Sequence, residues 1–170
     1  LEVIAAEIIH TPGDDGSNGP VARAKPLAAQ HPETFIPYQN ANESNPQPHN
    51  DRTGPENVRD EPDITHFVAG LRTSGTLIGV GTYLKEYDPS IQIVAVEPPL
   101  GERVEGLRKI GEGYMRPLVE RWNGYDILDR KRVVRPRESI VWTRRLVQEC
   151  GVFAGISGGA ALAGAAKVAS

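Results

Sequence analysis

Apolar positions along this chain fall into two rhythms. Residues 64–69 (Ile-Thr-His-Phe-Val-Ala) and 91–96 (Ile-Gln-Ile-Val-Ala-Val) are short apolar runs bounded by turn residues. The second run is nearly continuous in β-branched character, as expected of a strand covered on both faces. Helical spacing appears over about 20–30, 54–59, 76–87, 138–149 and 159–168, and Asp88-Pro89 ends the third of these segments. Residues 35–39 read as a short buried strand and Val133-Val134 as another. Strands alternating with helices predict an α/β fold, with a twisted, mostly parallel sheet and helices on both faces.

Two polar stretches interrupt the pattern. Residues 40–52, with Pro46 and Pro48, carry no periodicity and read as a domain crossing. Residues 97–122 are long, irregular and rich in glycine and proline, and loops of that length in compact domains usually have a function. The 170 residues suffice for one modest core. The formal charge of −3 gives no reason to expect nucleic acid or an anionic membrane as partner. Basic runs at 130–132 and 135–137 read as an edge strand with solvated charges. The single cysteine, Cys150, excludes an intrachain disulfide framework and reads as a packing residue at a helix end. No apolar run approaches the ~18 residues of a membrane span, no signal peptide is evident, and a cytoplasmic protein is expected. His10, His31, His49 and His66 show no metal-ligand spacing, so no metal is expected.

Candidate chemistry concentrates where the first strand ends. Gly70 is followed by Leu-Arg-Thr-Ser-Gly-Thr and then by an apolar helical segment. A strand, a tight turn and a helix N-terminus make a place to hold phosphate: the first N–H groups of a helix lack partners, and its dipole is positive there. The spacing of Gly70 and Gly75 suits a nucleotide loop, but Thr76 stands where that loop needs lysine. The dinucleotide pattern fails at Arg72, where a glycine is required. From the loop alone, a phosphate site and a ligand-free turn both remain open.

Several spaced segments carry a resemblance. Residues 70–79 resemble the G-x-G-T-[SG]-G-T phosphate loop of the cysteine synthase family, enzymes of fold type II (tryptophan synthase β-like) that use pyridoxal 5′-phosphate. Residues 7–19, Tyr38-Gln39 with Asn45-Pro46, residues 53–56 and residues 151–160 resemble the same family in the same order. Residues 101–108 followed by 112–115 are similar to the active-site loop of its CysM-like branch. Since members are nearly twice as long, the resemblance implies the middle and C-terminal part of a subunit, with an incomplete N-terminal domain. Residues 1–40 would be the tail of the smaller, mobile domain and 41–170 most of the larger, cofactor-anchoring one.

The resemblance implies roles residue by residue. Arg72, Thr73, Ser74, Gly75 and Thr76 would hold the cofactor phosphate, although Arg72 replaces the family glycine. Ser157 would hydrogen-bond the pyridine nitrogen, with Gly158 in place of the usual second serine; otherwise it reads as a helix cap. Gln39 would lie beside the substrate, and Arg108 would meet an anionic leaving group such as the phosphate of O-phosphoserine. Without the resemblance, the one is an ordinary glutamine and the other a solvated loop arginine. The family's Schiff-base lysine motif does not occur: Lys25, Lys85, Lys109, Lys131 and Lys167 stand in unrelated contexts. The chain alone is therefore expected to supply no catalytic residue and not to turn over. The implied parent is a homodimer that replaces the β-substituent of O-acetylserine or O-phosphoserine with sulfur from a donor, giving L-cysteine. Cystathionine β-synthase-like and serine/threonine dehydratase-like chemistry stay open, as does a non-catalytic scaffold.

Overall fold

The computed structural model describes residues 7–16, 18–109 and 116–170 of the 170. The chain divides into two units, Leu1–Tyr38 and Gln39–Ser170. In the first, a short 3-10 turn precedes helix α1 (Asn18–Gln30), which contains Pro26 and has no buried residue. Lys25 Nζ stands 5.4 Å from the centre of the Tyr38 ring.

The second unit is built on three strands: β1 (His66–Gly70), β2 (Gln92–Glu97) and β3 (Arg130–Val133). All pair in parallel in the order β1-β2-β3, with His66 opposite Gln92 and Val94 opposite Arg130. Side chains of a strand alternate between faces, which sorts the core into two. Phe67, Ala69, Ile93 and Ala95 pack with Leu77, Val80 and Leu84 of helix α3 (Gly75–Tyr87). On the other face Val68 and Val96 meet Ala160 and Ala163 of helix α7 (Ile156–Ala169). Small residues let α7 lie close to the sheet: a Cβ on Gly164 would fall on the Val96 side chain. Helices thus cover both faces, as the alternation predicts.

The remaining helices of this unit are α2 (Gly54–Asp60), α4 (Arg116–Arg121), α5 (Gly124–Ile127) and α6 (Pro136–Cys150). Proline opens α6 in its first turn, and Glu138 Oε2 accepts the Arg135 N–H at 2.8 Å. Gly151, at φ 67°, ends the helix in the left-handed region. Asp129 ties β3 to β2 by accepting the Ile93 N–H at 2.7 Å, and it pairs with Lys85 at 2.8 Å.

Four expectations need correction. Residues 35–39 form no strand and Phe35 is 78% exposed, because its apolar neighbours are too few to bury it. The stretch 40–52 is not irregular throughout: a π-helical turn, His49–Thr53, runs straight into α2. The segment 97–122 contains α4, while the predicted loop residues 112–115 lie outside the described ones. Cys150 is exposed rather than packed.

Candidate active site

The site is built at the carboxyl ends of the parallel strands, the usual position for ligands of open α/β sheets. Leu71 extends the β1–β2 pairing by one residue, donating its N–H to the Val96 carbonyl at 2.8 Å. Its own carbonyl accepts the Arg108 N–H at 2.7 Å, which folds residues 101–108 over the end of the sheet. The chain then turns through Arg72, Thr73 and Ser74 into α3. The left-handed residue of this turn is Ser74, at φ 72°, so the conformational demand does not fall on the exposed Arg72. Ser74 is 3% exposed, and its Oγ has no hydrogen-bond partner. A buried hydroxyl without a partner is costly, and at a helix N-terminus it is matched to an anion.

Three side chains from residues 45–50 brace the loop from outside. Asn45 Nδ2 donates to Thr73 Oγ1 at 3.0 Å and to the Gln39 carbonyl at 2.7 Å. His49 Nε2 lies 3.0 Å from Thr76 Oγ1, and Asn50 Nδ2 donates to the Gly79 carbonyl at 3.3 Å. Close approach requires glycine at two positions: a Cβ on Gly75 would strike the Asn45 amide, and one on Gly79 would strike the Pro46 carbonyl.

Ser157 enters from the other side, in the first turn of α7. A Cβ placed on Gly106 would lie 3.0 Å from Ser157 Cβ and 3.1 Å from its Oγ. One placed on Gly70 would lie 2.5 Å from Leu107 Cδ2 and 4.0 Å from the Ser157 carbonyl. The strand end that begins the 71–74 turn, the 101–108 segment and the start of α7 therefore adjoin one another. Gln39 is exposed and joins this group through its carbonyl, by way of Asn45. Arg108 is half-buried and donates from Nη1 to the Leu107 carbonyl at 2.8 Å.

The donors suit a phosphate monoester, a near-dianion at neutral pH. They comprise the orphaned Ser74 hydroxyl, the Thr73 and Thr76 hydroxyls and the first amides of a 13-residue helix. The lysines are engaged elsewhere: Lys85 with Asp129, Lys109 with Glu97 and Lys167 with Glu138, while Lys131 lies on β3. Among the described residues, no three His, Cys, Asp or Glu side chains cluster as metal ligands. No helix there is long and apolar enough to cross a membrane.

A family described as "Pyridoxal-phosphate dependent enzyme" matches residues 1–170. This chain belongs to that family. The cysteine synthase of Helicobacter pylori (strain J99) is 32% identical over 98% of the chain and 56% of its own length. That of Staphylococcus aureus (strain Mu50) is 35% identical over 95% of the chain and 54% of its own length. Among solved structures, the O-acetylserine dependent cystathionine beta-synthase from Helicobacter pylori superposes with a TM-score of 0.85 at 30% identity. That match covers 99% of the chain and 56% of the other. The chain thus spans about half the length of the curated relatives it matches. Its α/β architecture is the fold type II architecture of pyridoxal-phosphate enzymes, and pyridoxal phosphate is the cofactor of the family.

The bracing residues Asn45 and His49 carry little local signal in the sequence. Asn45 stands out only as part of an Asn-Pro pair, and His49 has no metal-ligand spacing. The stretch 40–52 has ordinary loop composition, so nothing in it marks these two residues as braces. Gly106 gave no signal: its role depends on Ser157, fifty-one positions later.

Proposed function

We propose that residues 70–76 and Ser157 hold the two ends of pyridoxal phosphate in a cysteine synthase. In this reading the complete protein replaces the acetate or phosphate of O-acetylserine or O-phosphoserine with sulfur. The observation that carries the reading is the adjacency of β1's carboxyl end, Gly106 and Ser157, together with the buried, partnerless Ser74 hydroxyl. Support also comes from the two relatives named cysteine synthase.

Bound pyridoxal phosphate supplies an electron-withdrawing ring that loosens the substrate Cα proton and lets a β-substituent depart. The chain's own residues position it. Amides and hydroxyls at 73–76 take the phosphate, Ser74 gaining the partner it lacks. The Ser157 hydroxyl shares a hydrogen bond with the ring nitrogen without forcing a proton onto it, as a carboxylate would, so the ring stays a moderate electron sink suited to β-elimination. Arg108 lies on the segment facing this space and meets the anionic leaving group, while Gln39 contacts the amino-acid substrate. The Schiff-base lysine comes from outside this sequence, and the whole enzyme works as a cytosolic homodimer. A cystathionine-forming activity is the second reading, favoured by the solved structure's own description.

The test is substrate profiling of the protein from the complete reading frame, with sulfide and homocysteine as alternative acceptors. L-cysteine formed from sulfide supports the first reading; exclusive use of homocysteine supports the second. Arg108→Ala should lower kcat/KM for O-phosphoserine at least tenfold more than for O-acetylserine, and equal losses would remove Arg108 from substrate recognition.

A further inference from the structure

We propose that His49, held by Thr53, sets the direction of the Thr76 hydroxyl and makes it a hydrogen-bond donor to the bound phosphate monoester. The inference rests on the cofactor-site reading above and assigns a positioning role to two residues outside the phosphate loop. The His49 ring bridges two threonines, with Nδ1 3.0 Å from Thr53 Oγ1 and Nε2 3.0 Å from Thr76 Oγ1. A neutral imidazole has one N–H donor and one bare acceptor nitrogen, so the two tautomers run this chain in opposite directions.

With the proton on Nε2, Thr53 donates to Nδ1, Nε2–H donates to Thr76 Oγ1, and the Thr76 proton is left to point at the anion. With the proton on Nδ1, bare Nε2 takes the Thr76 proton and only oxygen lone pairs face the ligand. A phosphate dianion only accepts hydrogen bonds, so it selects the first arrangement. Successive hydrogen bonds in one direction also polarise one another.

The backbone is shaped for this bridge. His49–Thr53 is a π-helical turn closed by the Gly54 N–H on the His49 carbonyl, a form that is rare and recurs at functional sites. The imidazole is pressed against α3, because Gly79 leaves room for it: a Cβ there would lie 2.8 Å from His49 Cβ. Thr76 itself is exposed and free to meet a ligand from solvent.

The experiment titrates this chain with pyridoxal 5′-phosphate and, separately, with pyridoxal. His49→Leu and Thr76→Val should each weaken binding of the phosphate ester about tenfold, the worth of one hydrogen bond to a charged group. The double variant should be no worse than Thr76→Val alone, and pyridoxal affinity should not move. His49→Gln, which keeps an N–H donor, should recover most of the loss. Thr53→Val, outside the phosphate loop itself, should cost about threefold and Thr53→Ser restore it, because only a bias between tautomers is removed. Nitrogen-15 NMR of the His49 ring in the complex should report a proton on Nε2. Additive losses in the double variant, or a proton confined to Nδ1, would overturn the hydrogen-bond chain while leaving the phosphate site intact. If the unsubstituted chain binds the phosphate ester no better than pyridoxal, the site reading falls and this inference with it.

Discussion

The two ends of the candidate cleft are built to different tolerances. At the proposed phosphate end, Asn45, His49 and Asn50 grip the loop and α3, while the Val96 carbonyl and the Arg108 N–H grip Leu71. At the proposed ring end, Ser157 follows a segment in which Val152 is 50% and Phe153 95% exposed, and its close neighbour is Gly106 on an irregular loop. The difference teaches which half of the binding problem demands rigidity. A dianion must find several donors already aimed, because each misplaced or unsatisfied dipole costs on the order of 1–3 kcal/mol. A flat ring meeting one hydroxyl needs only an approximate shelf.

The sharpest way to break this comparison is to crowd each end with one methyl group. Gly79→Ala should destabilise the chain by about 3 kcal/mol, since its Cβ would meet the Pro46 carbonyl and the Asn50 nitrogen, both backbone. Thermal or urea unfolding measures this. Relaxing the loop should sharpen the contrast. Ser74→Gly removes both a left-handed non-glycine residue and a buried partnerless hydroxyl, so stability should rise by about 1 kcal/mol while affinity for the phosphate ester falls. A variant that gains both stability and affinity would refute the role given to that hydroxyl.

Next in size comes acidification, which acts on the frame rather than the cleft. Burial pushes the Asp129 and Glu138 carboxyls up, but hydrogen bonds and charge outweigh it: the Ile93 N–H and Lys85 for Asp129, Lys167 and the Arg135 N–H for Glu138. Both end below the ordinary carboxylate range. The unfolded chain therefore binds protons first as pH falls, so this stabilisation is complete above about pH 5 and disappears as pH drops through the lowered folded values. Both pairs are partly exposed, which limits the loss to about 1 kcal/mol, and urea midpoints at pH 7 and pH 3.5 would register it. The smallest effect belongs to the ring end. Among the described residues a Cβ on Gly158 meets only Ala154 Cβ, at 3.0 Å, so Gly158→Ala should change stability by less than about 1 kcal/mol, helix propensity offsetting the mild crowding.

What the sequence disclosed follows the same division. The β1-loop-α3 unit was legible because a buried strand, a polar turn and an apolar helix differ sharply in residue pattern over a few positions. Strand β2 was legible from its β-branched run. Helix α7 was legible as a small-residue segment, though its first turn begins three residues earlier than the pattern suggests, because Ile156, Ser157 and Gly158 carry no helical preference. Residues 35–39 misled, since a short apolar run with no strand beside it to pair with makes no strand. The bracing by Asn45 and His49 was hidden for another reason: it joins residues 28 and 27 positions apart through side-chain hydrogen bonds, and local periodicity holds no record of such pairs.

The wide turn at His49–Thr53 acts as a spacer whose thickness is one amino acid. Deleting any single residue within it would let the strand of backbone wind as an ordinary α-helix through to Asp60. Every side chain upstream would then rotate by roughly 100°, the angle per residue of such a helix. The Asn45 amide would swing off Thr73, and the proposed anion cradle would lose its outer wall although none of its own residues had changed. Length, at this point of the polypeptide, is as strict a requirement as identity.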